Sequence, residues 1–179
     1  MAAAAELIAE VGWGRVTTRA VAERAGLPHG TVSYHFRGKQ ELLVEAALAA
    51  FEHAVPRSAF EALGTVEGLV GLIEAEVAGH EEMDPVLPPL MLEAMREAER
   101  DPVLRERMGA MLGDYRRLMI EAVRADQERG AVVRTGSPDG IATLLAAIGD
   151  GLLLHVLLDP DLDISSAMQA LRALLSAHE

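Results

Sequence analysis

Apolar residues recur at three- and four-residue spacing along almost the whole chain, and glycine or proline closes or opens each run. Such a chain is restricted to helices. Ala, Leu, Glu and Arg dominate, aromatics make up 3%, and β-branched runs are scarce. Ala2–Val11 carries Leu7, Ile8 and Val11 on one face and stops at Gly12 and Gly14. Thr17 and Thr18 are placed to cap a short helix reaching Ala25, Gly26 supplies a tight turn, and Pro28 opens a third helix, His29–His35. After a break at Arg37-Gly38, a longer helix runs from Lys39 to about Val55 and ends at Pro56. The pattern then predicts Val66–Glu82, Pro88–Arg100, Pro102–Arg129, Pro138–Leu158 and Ile164–Ala177, with Asp101, Ser137 and Asp163 as caps. Only Ala131–Val133 reads as extended. The predicted fold is all-α, and the pattern changes to longer helices beyond Pro56.

With no cysteine, disulfides, thiolate metal sites and cysteine nucleophiles are excluded together. Half of the 179 residues are hydrophobic, enough for a real core. The first eleven residues carry Glu6 and Glu10 and no basic stretch, which is unlike a signal peptide. Ile141–Leu158 is long and apolar enough to suggest a membrane span. Asp150 sits near its centre, where mid-bilayer placement costs roughly 2.5–3.5 kcal/mol, so the segment reads as a buried helix of a soluble protein.

The net charge of −12 argues against nucleic acid until its distribution is followed. Residues 1–54 hold five Arg or Lys and six Asp or Glu, leaving a net charge of −11 on the rest. From Gly12 to Lys39 stand Arg15, Arg19, Arg24, Arg37 and Lys39 against Glu23 alone. A basic patch on an acidic body suits phosphate binding.

Thr17 to Phe36 reads T-T-R-A-V-A-E-R-A-G-L-P-H-G-T-V-S-Y-H-F, two short helices joined by a glycine-containing turn. Ala22 is the small residue needed where the helices cross, and Val21, Leu27, Val32 and Phe36 are the predicted apolar anchors. His29, Thr31, Ser33, Tyr34 and His35 supply hydroxyls and imidazoles to an outward face short enough for a major groove about 12 Å wide. Gly30 lets the backbone come near a phosphate.

With Gly38-Lys39-Gln40-Glu41-Leu42, this segment resembles the DNA-binding domain of the TetR family of transcription regulators. The matching elements are Thr17-Thr18, Ala22-Glu23-Arg24-Ala25-Gly26, Gly30-Thr31-Val32, Tyr34-His35-Phe36, and Lys39 with Leu42, about a quarter of the chain in fixed register. Ile148-Gly149-Asp150-Gly151-Leu152 and Leu158-Asp159-Pro160 resemble the penultimate helix of many members. The resemblance implies an N-terminal three-helix helix-turn-helix domain, residues 1–46, and a helical ligand-binding and dimerisation domain, residues 47–179. Two departures stand out. Ser33 occupies a position where members commonly carry tyrosine, and Met1 falls inside the first helix, so the native start is expected upstream.

By position, Thr18 and Arg19 are expected on phosphates, with Gly30, Tyr34, His35 and Lys39 also clamping the DNA backbone. His29, Thr31 and Ser33 are the candidates for base edges, while Arg15 and Arg37 add field. Other readings stand beside these: His35 as a cap against the first helix, Tyr34 as partly core, and Arg24 as a solvated or intramolecularly paired arginine.

The candidate effector pocket is lined by Leu69, Leu72, Ile73, Met91, Met95, Met108, Met111, Tyr115 and Met119, an adaptable set suited to a small apolar effector. Ordinary core packing accounts for the same residues. Glu74 and Glu93 either face a cationic ligand or lie at the surface. The candidate dimer interface takes Leu145, Ile148, Gly149, Leu152 and Val156 from the penultimate helix and Met168, Leu171 and Leu175 from the last. Its alternative is a monomer that buries the penultimate helix centrally.

The function expected is that of a cytoplasmic DNA-binding repressor, a homodimer released from a near-palindromic operator by its effector, without cofactor, metal, catalysis or membrane. Activation by ligand is the variant reading. A helical enzyme is the first rival, yet no H-E-x-x-H, G-x-S-x-G or phosphate loop occurs, and no two histidines lie four apart. A helical small-molecule or partner-binding protein without DNA binding is the second.

Overall fold

The computed structural model describes residues 1–54 and 56–176, and of His29 it describes the backbone alone. Helices account for about four fifths of it: α1 (Ala2–Val11), α2 (Thr18–Arg24), α3 (His29–His35), α4 (Lys39–Ala54), α5 (Arg57–Leu63), α6 (Val66–Ala78), α7 (Leu87–Ala98), α8 (Pro102–Arg129), α9 (Pro138–Leu158) and α10 (Ile164–Leu175), with 3₁₀ turns at Trp13–Arg15 and His80–Glu82. The predicted helix ends at Val55 and Ala177 lie outside the described residues. Ala131–Val133 contributes only a single bridge, Val132 to Ser176.

The chain forms two compact units, Met1–Pro56 with Asp84–Met111, and Arg57–Met83 with Leu112–Glu179. In the first, α1 ends where Gly12 turns to φ +81° and returns its N–H to the Ile8 carbonyl at 2.9 Å. Ile8 of α1, Trp13, Leu43 of α4, Leu90 of α7 and Leu104 of α8 are fully buried together in one core. The i, i+4 pairs Leu90–Ala94 and Leu104–Met108 are the buried stripes of α7 and α8 in this unit. The Asp101 carboxylate takes the N–H groups of Val103 and Leu104 at 2.8 and 3.2 Å, the predicted cap of α8.

In the second unit α6, α9, α10 and the latter part of α8 enclose Leu69, Val70, Val77, Val123, Leu145 and Met168. Ser137 and Asp163 cap α9 and α10 as their positions predict. Arg172 of α10 pairs with Glu67 and Glu74 of α6, so Glu74 is engaged by an internal arginine.

Three sequence expectations give way. The Val66–Glu82 helix stops at Ala78, because Gly79 closes it with its N–H on the Ala75 carbonyl and a 3₁₀ turn follows. α5 was not expected; it is seven residues long with no fully buried residue, held by an Arg57–Glu61 pair and by Phe60 and Leu63 against the core. The segment Ile141–Leu158 is not a buried helix. Only Ile141, Ala142, Leu145 and Val156 of α9 are buried, while Leu144 (63% exposed), Leu154, Leu157 and Leu158 (80%) lie open. By length and composition α9 is long and apolar enough to cross a membrane.

Candidate nucleic-acid interface

The geometry of the N-terminal unit starts with caps and small residues. The Thr17 hydroxyl accepts the Ala20 N–H at 3.1 Å and opens α2. Ala22 is fully buried where α2 meets α3, and Gly26 at φ +66° makes the turn between them. Pro28 stands as the N-terminal flanking residue of α3, one position earlier than the first helical turn. Val21 and Val32 are buried and Phe36 is half-buried against the same core. Leu27, expected as an anchor, is 46% exposed, because the turn carries it outside the crossing.

With Val32 facing inward, α3 presents its other side to solvent. Gly30, Ser33, Tyr34 and His35 are exposed and Thr31 is half-buried. Tyr34 is 86% exposed, which disposes of a core role. His35 meets the Tyr34 ring edge-on at 5.1 Å between centroids. The side chain of His29 lies outside what is described. At the start of α2, Arg19 is exposed and Thr18 half-buried.

Charge is spent selectively here. Arg24 is paired, to Glu10 at 2.8 Å and Glu6 at 3.2 Å, so it ties α2 to α1; those hydrogen bonds hold the Glu10 carboxyl below its usual range. Arg15 donates to the Val11 carbonyl. Lys39 donates Nζ to the Gly14 carbonyl at 2.7 Å, which pins the 3₁₀ turn to the first turn of α4. Glu41 accepts the Arg37 N–H at 2.6 Å and closes the α3–α4 turn.

Residues that sequence reasoning passed over complete the support. The backbone N–H of Trp13 donates to Glu93 Oε2 at 2.8 Å, and its indole N–H to Gln40 Oε1 at 3.1 Å. Gln40 in turn donates to Asp101 Oδ2 at 2.7 Å and Glu97 Oε1 at 3.2 Å. Glu93 thus serves an internal N–H and Arg96, neither a ligand nor a free surface group. The one available signal was the single tryptophan, set between the two glycines that stop α1.

The nine effector-pocket candidates divide between the two units. Met91, Met95, Met108 and Met111 belong to the first unit and Leu69, Leu72, Ile73, Tyr115 and Met119 to the second. Leu69, Ile73, Met108 and Met119 are core, whereas Met91 and Met95 are exposed. A cleft of about 520 Å³ opens in the first unit beside Glu10, Arg15, Pro89 and Leu92, and one of about 170 Å³ in the second beside Phe60 and Leu118. Neither is lined by any of the nine.

The dimer candidates divide as well. Leu145, Val156, Met168 and Leu171 are buried inside the protomer and cannot form an outer face. Gly149 spends its missing Cβ within the unit: a methyl there would stand 3.4 Å from Ile73 Cγ1. Ile148, Leu152 and Leu175 are half-buried, and the open apolar surface is instead Leu144, Leu154, Leu157, Leu158 and Leu174.

Comparison with known proteins bears on the whole chain. The model of the TetR family of bacterial regulatory proteins matches residues 1–46, and that of the BetI-type transcriptional repressor C-terminal region matches residues 66–178. No curated protein matches. Among solved structures, a candidate transcriptional regulator from Pseudomonas aeruginosa PAO1 is 24% identical with a TM-score of 0.80, over 96% of this chain and 84% of that one. A candidate regulator from Saccharomonospora viridis, in complex with choline, is 26% identical with a TM-score of 0.73, over 96% and 90%. The Bacillus subtilis regulator FadR, in complex with stearoyl-CoA, is 20% identical with a TM-score of 0.74, over 99% and 96%. With its capped helix pair inside the first match and a helical region across the second, this chain belongs to the TetR family of bacterial transcription regulators.

Proposed function

We propose that this regulator is a cytoplasmic homodimeric repressor that leaves a near-palindromic operator when a small molecule binds. The carrying observation is the division of α3, with Val32 buried on one side and Gly30, Ser33, Tyr34 and His35 open on the other. Thr18, Arg19, Gly30, Tyr34 and His35 take phosphates, with the Lys39 ammonium bracing the Gly14 carbonyl beside them. His29, Thr31 and Ser33 read base edges. The role is binding, without catalysis.

Dimerisation falls to the open leucines of α9 and α10, since large exposed apolar residues gathered on two helices suit an interaction surface. A second copy of the chain, and not a lipid bilayer, is the occupant we propose. Two recognition helices must reach successive major grooves roughly 34–36 Å apart. An effector preferring a conformation with another spacing shifts the population away from DNA. Two solved neighbours are complexes with choline and with stearoyl-CoA, so the fold accommodates ligands of different chemistry. For this chain we propose a small apolar effector, with the half-buried Leu72 and Tyr115 of the second unit in its site.

Enrichment of bound sequences from a random duplex pool tests the reading. Inverted repeats with half-sites about one helical turn apart are expected. Arg19→Ala should lower the slope of log affinity against log salt by about 0.9 for each half-site, and Tyr34→Ala should weaken binding without lowering the melting temperature. A pool with no enrichment overturns the proposal.

A further inference from the structure

We infer that Gln40 is a positioning residue for the DNA contact, one amide that sets the recognition helix in register with the α7–α8 corner; the inference rests on the DNA-binding reading above. Gln40 lies in the first turn of α4, five residues after the end of α3. Its carbonyl accepts the indole N–H of Trp13 at 3.1 Å, and its NH₂ group donates to Asp101 Oδ2 at 2.7 Å and Glu97 Oε1 at 3.2 Å. The orientation follows from chemistry. The reversed amide would set its oxygen against two carboxylates and its NH₂ against an N–H.

Each partner of this fork is itself tied down. Trp13 is buried and its backbone N–H is held by Glu93 of α7. Gly12, just before it, sits at φ +81° with the Glu93 carboxylate 3.1 Å from where a Cβ would stand, so the approach is close. Asp101 divides its oxygens, Oδ1 capping α8 and Oδ2 taking Gln40. The amino ends of α4 and α8 therefore share one carboxylate. The apolar core beneath them resists separation of these helices but resists sliding less, because burial is not directional. Hydrogen bonds, which weaken steeply off-axis, supply the direction. Gln40 is exposed to water, so its fork adds orientation more than global stability.

The test uses the full chain and duplexes carrying the enriched inverted repeat, either intact or with one base pair added or removed between half-sites. Gln40→Glu keeps the acceptor for Trp13, loses both donors and faces two carboxylates. Its affinity for the intact repeat should fall about tenfold, as expected if only about a tenth of the molecules now hold the register, while affinity for the altered spacings changes little. Discrimination between spacings should collapse with an unchanged melting temperature. Adding Asp101→Asn, which keeps an oxygen for the α8 cap and turns an N–H toward position 40, should restore it. Gln40→Leu should in addition shift the emission of the single tryptophan, which Gln40→Glu leaves in place. Unchanged discrimination in Gln40→Glu, equal losses at every spacing alongside a lower melting temperature, or no rescue by Asp101→Asn each overturn the inference. Should the unsubstituted protein bind all spacings alike, the dimeric-operator reading fails, and the inference with it.

Discussion

The carboxylate of Asp126, on α8, accepts the backbone N–H of Val66 at 2.7 Å, sixty residues earlier in the chain. Val66 opens α6, and the Thr65 hydroxyl caps the same end by accepting the Gly68 N–H. Asp126 is 4% exposed and its other oxygen pairs with Arg129, so the carboxylate is satisfied on both sides. Asp126→Ala leaves a buried N–H without a partner and should cost about 1–3 kcal/mol in denaturant titration, with Thr65→Ala costing about 1 kcal/mol. An undiminished midpoint for Asp126→Ala contradicts this account of how α6 is anchored.

Leu144 and Leu145 are neighbours on α9 with opposite fates, one open and one buried. Leu145→Ala removes core atoms from the second unit and should destabilise the protomer by about 2–5 kcal/mol. Leu144→Glu places a charge on the apolar outer face, so it should leave helical content intact and shift the sedimenting species from dimer to monomer. An intact dimer carrying Leu144→Glu, and Leu154→Glu beside it, removes this face as the interface.

The Asp150 carboxyl is pushed above the ordinary aspartate range by loss of hydration, and Glu76 is raised by the same cause and then by the charge of Asp150. A carboxyl whose folded value exceeds its unfolded one contributes its full stability below the unfolded value and loses it as pH rises through the folded value. Asp150→Asn should therefore be more stable than the parent at neutral pH, with the gain shrinking as pH falls toward about 4. Denaturant midpoints across that range, taken at equal fractions of dimer, decide the matter; a gain that grows on acidification reverses the assignment.

Much of the local structure around the candidate site is legible in the sequence. Local chemistry dictated the caps at Thr17, Asp101, Ser137 and Asp163, the turn at Gly26 and the inward Val32 beside the outward Tyr34, because each depends on a few neighbouring residues. Arg24 was anticipated as solvated or intramolecularly paired, and its pairing with α1 is what the structure added. Gln40 was visible only as part of a motif, since its partners Trp13, Glu97 and Asp101 lie 27 to 61 residues away.

Sequence alone determined that this chain is helical, where most helices begin, and that one short helix carries a polar face fit for duplex DNA. Periodicity is a property of one segment, so it survives without knowledge of the rest. Tertiary structure decided which of two apolar faces of α9 is spent inside the protomer, that Gly149 stands close against Ile73, and that the methionines of α7 stay exposed while Met108 fills a core. An apolar stripe states that a face must be covered, and only the packing of distant helices says by what.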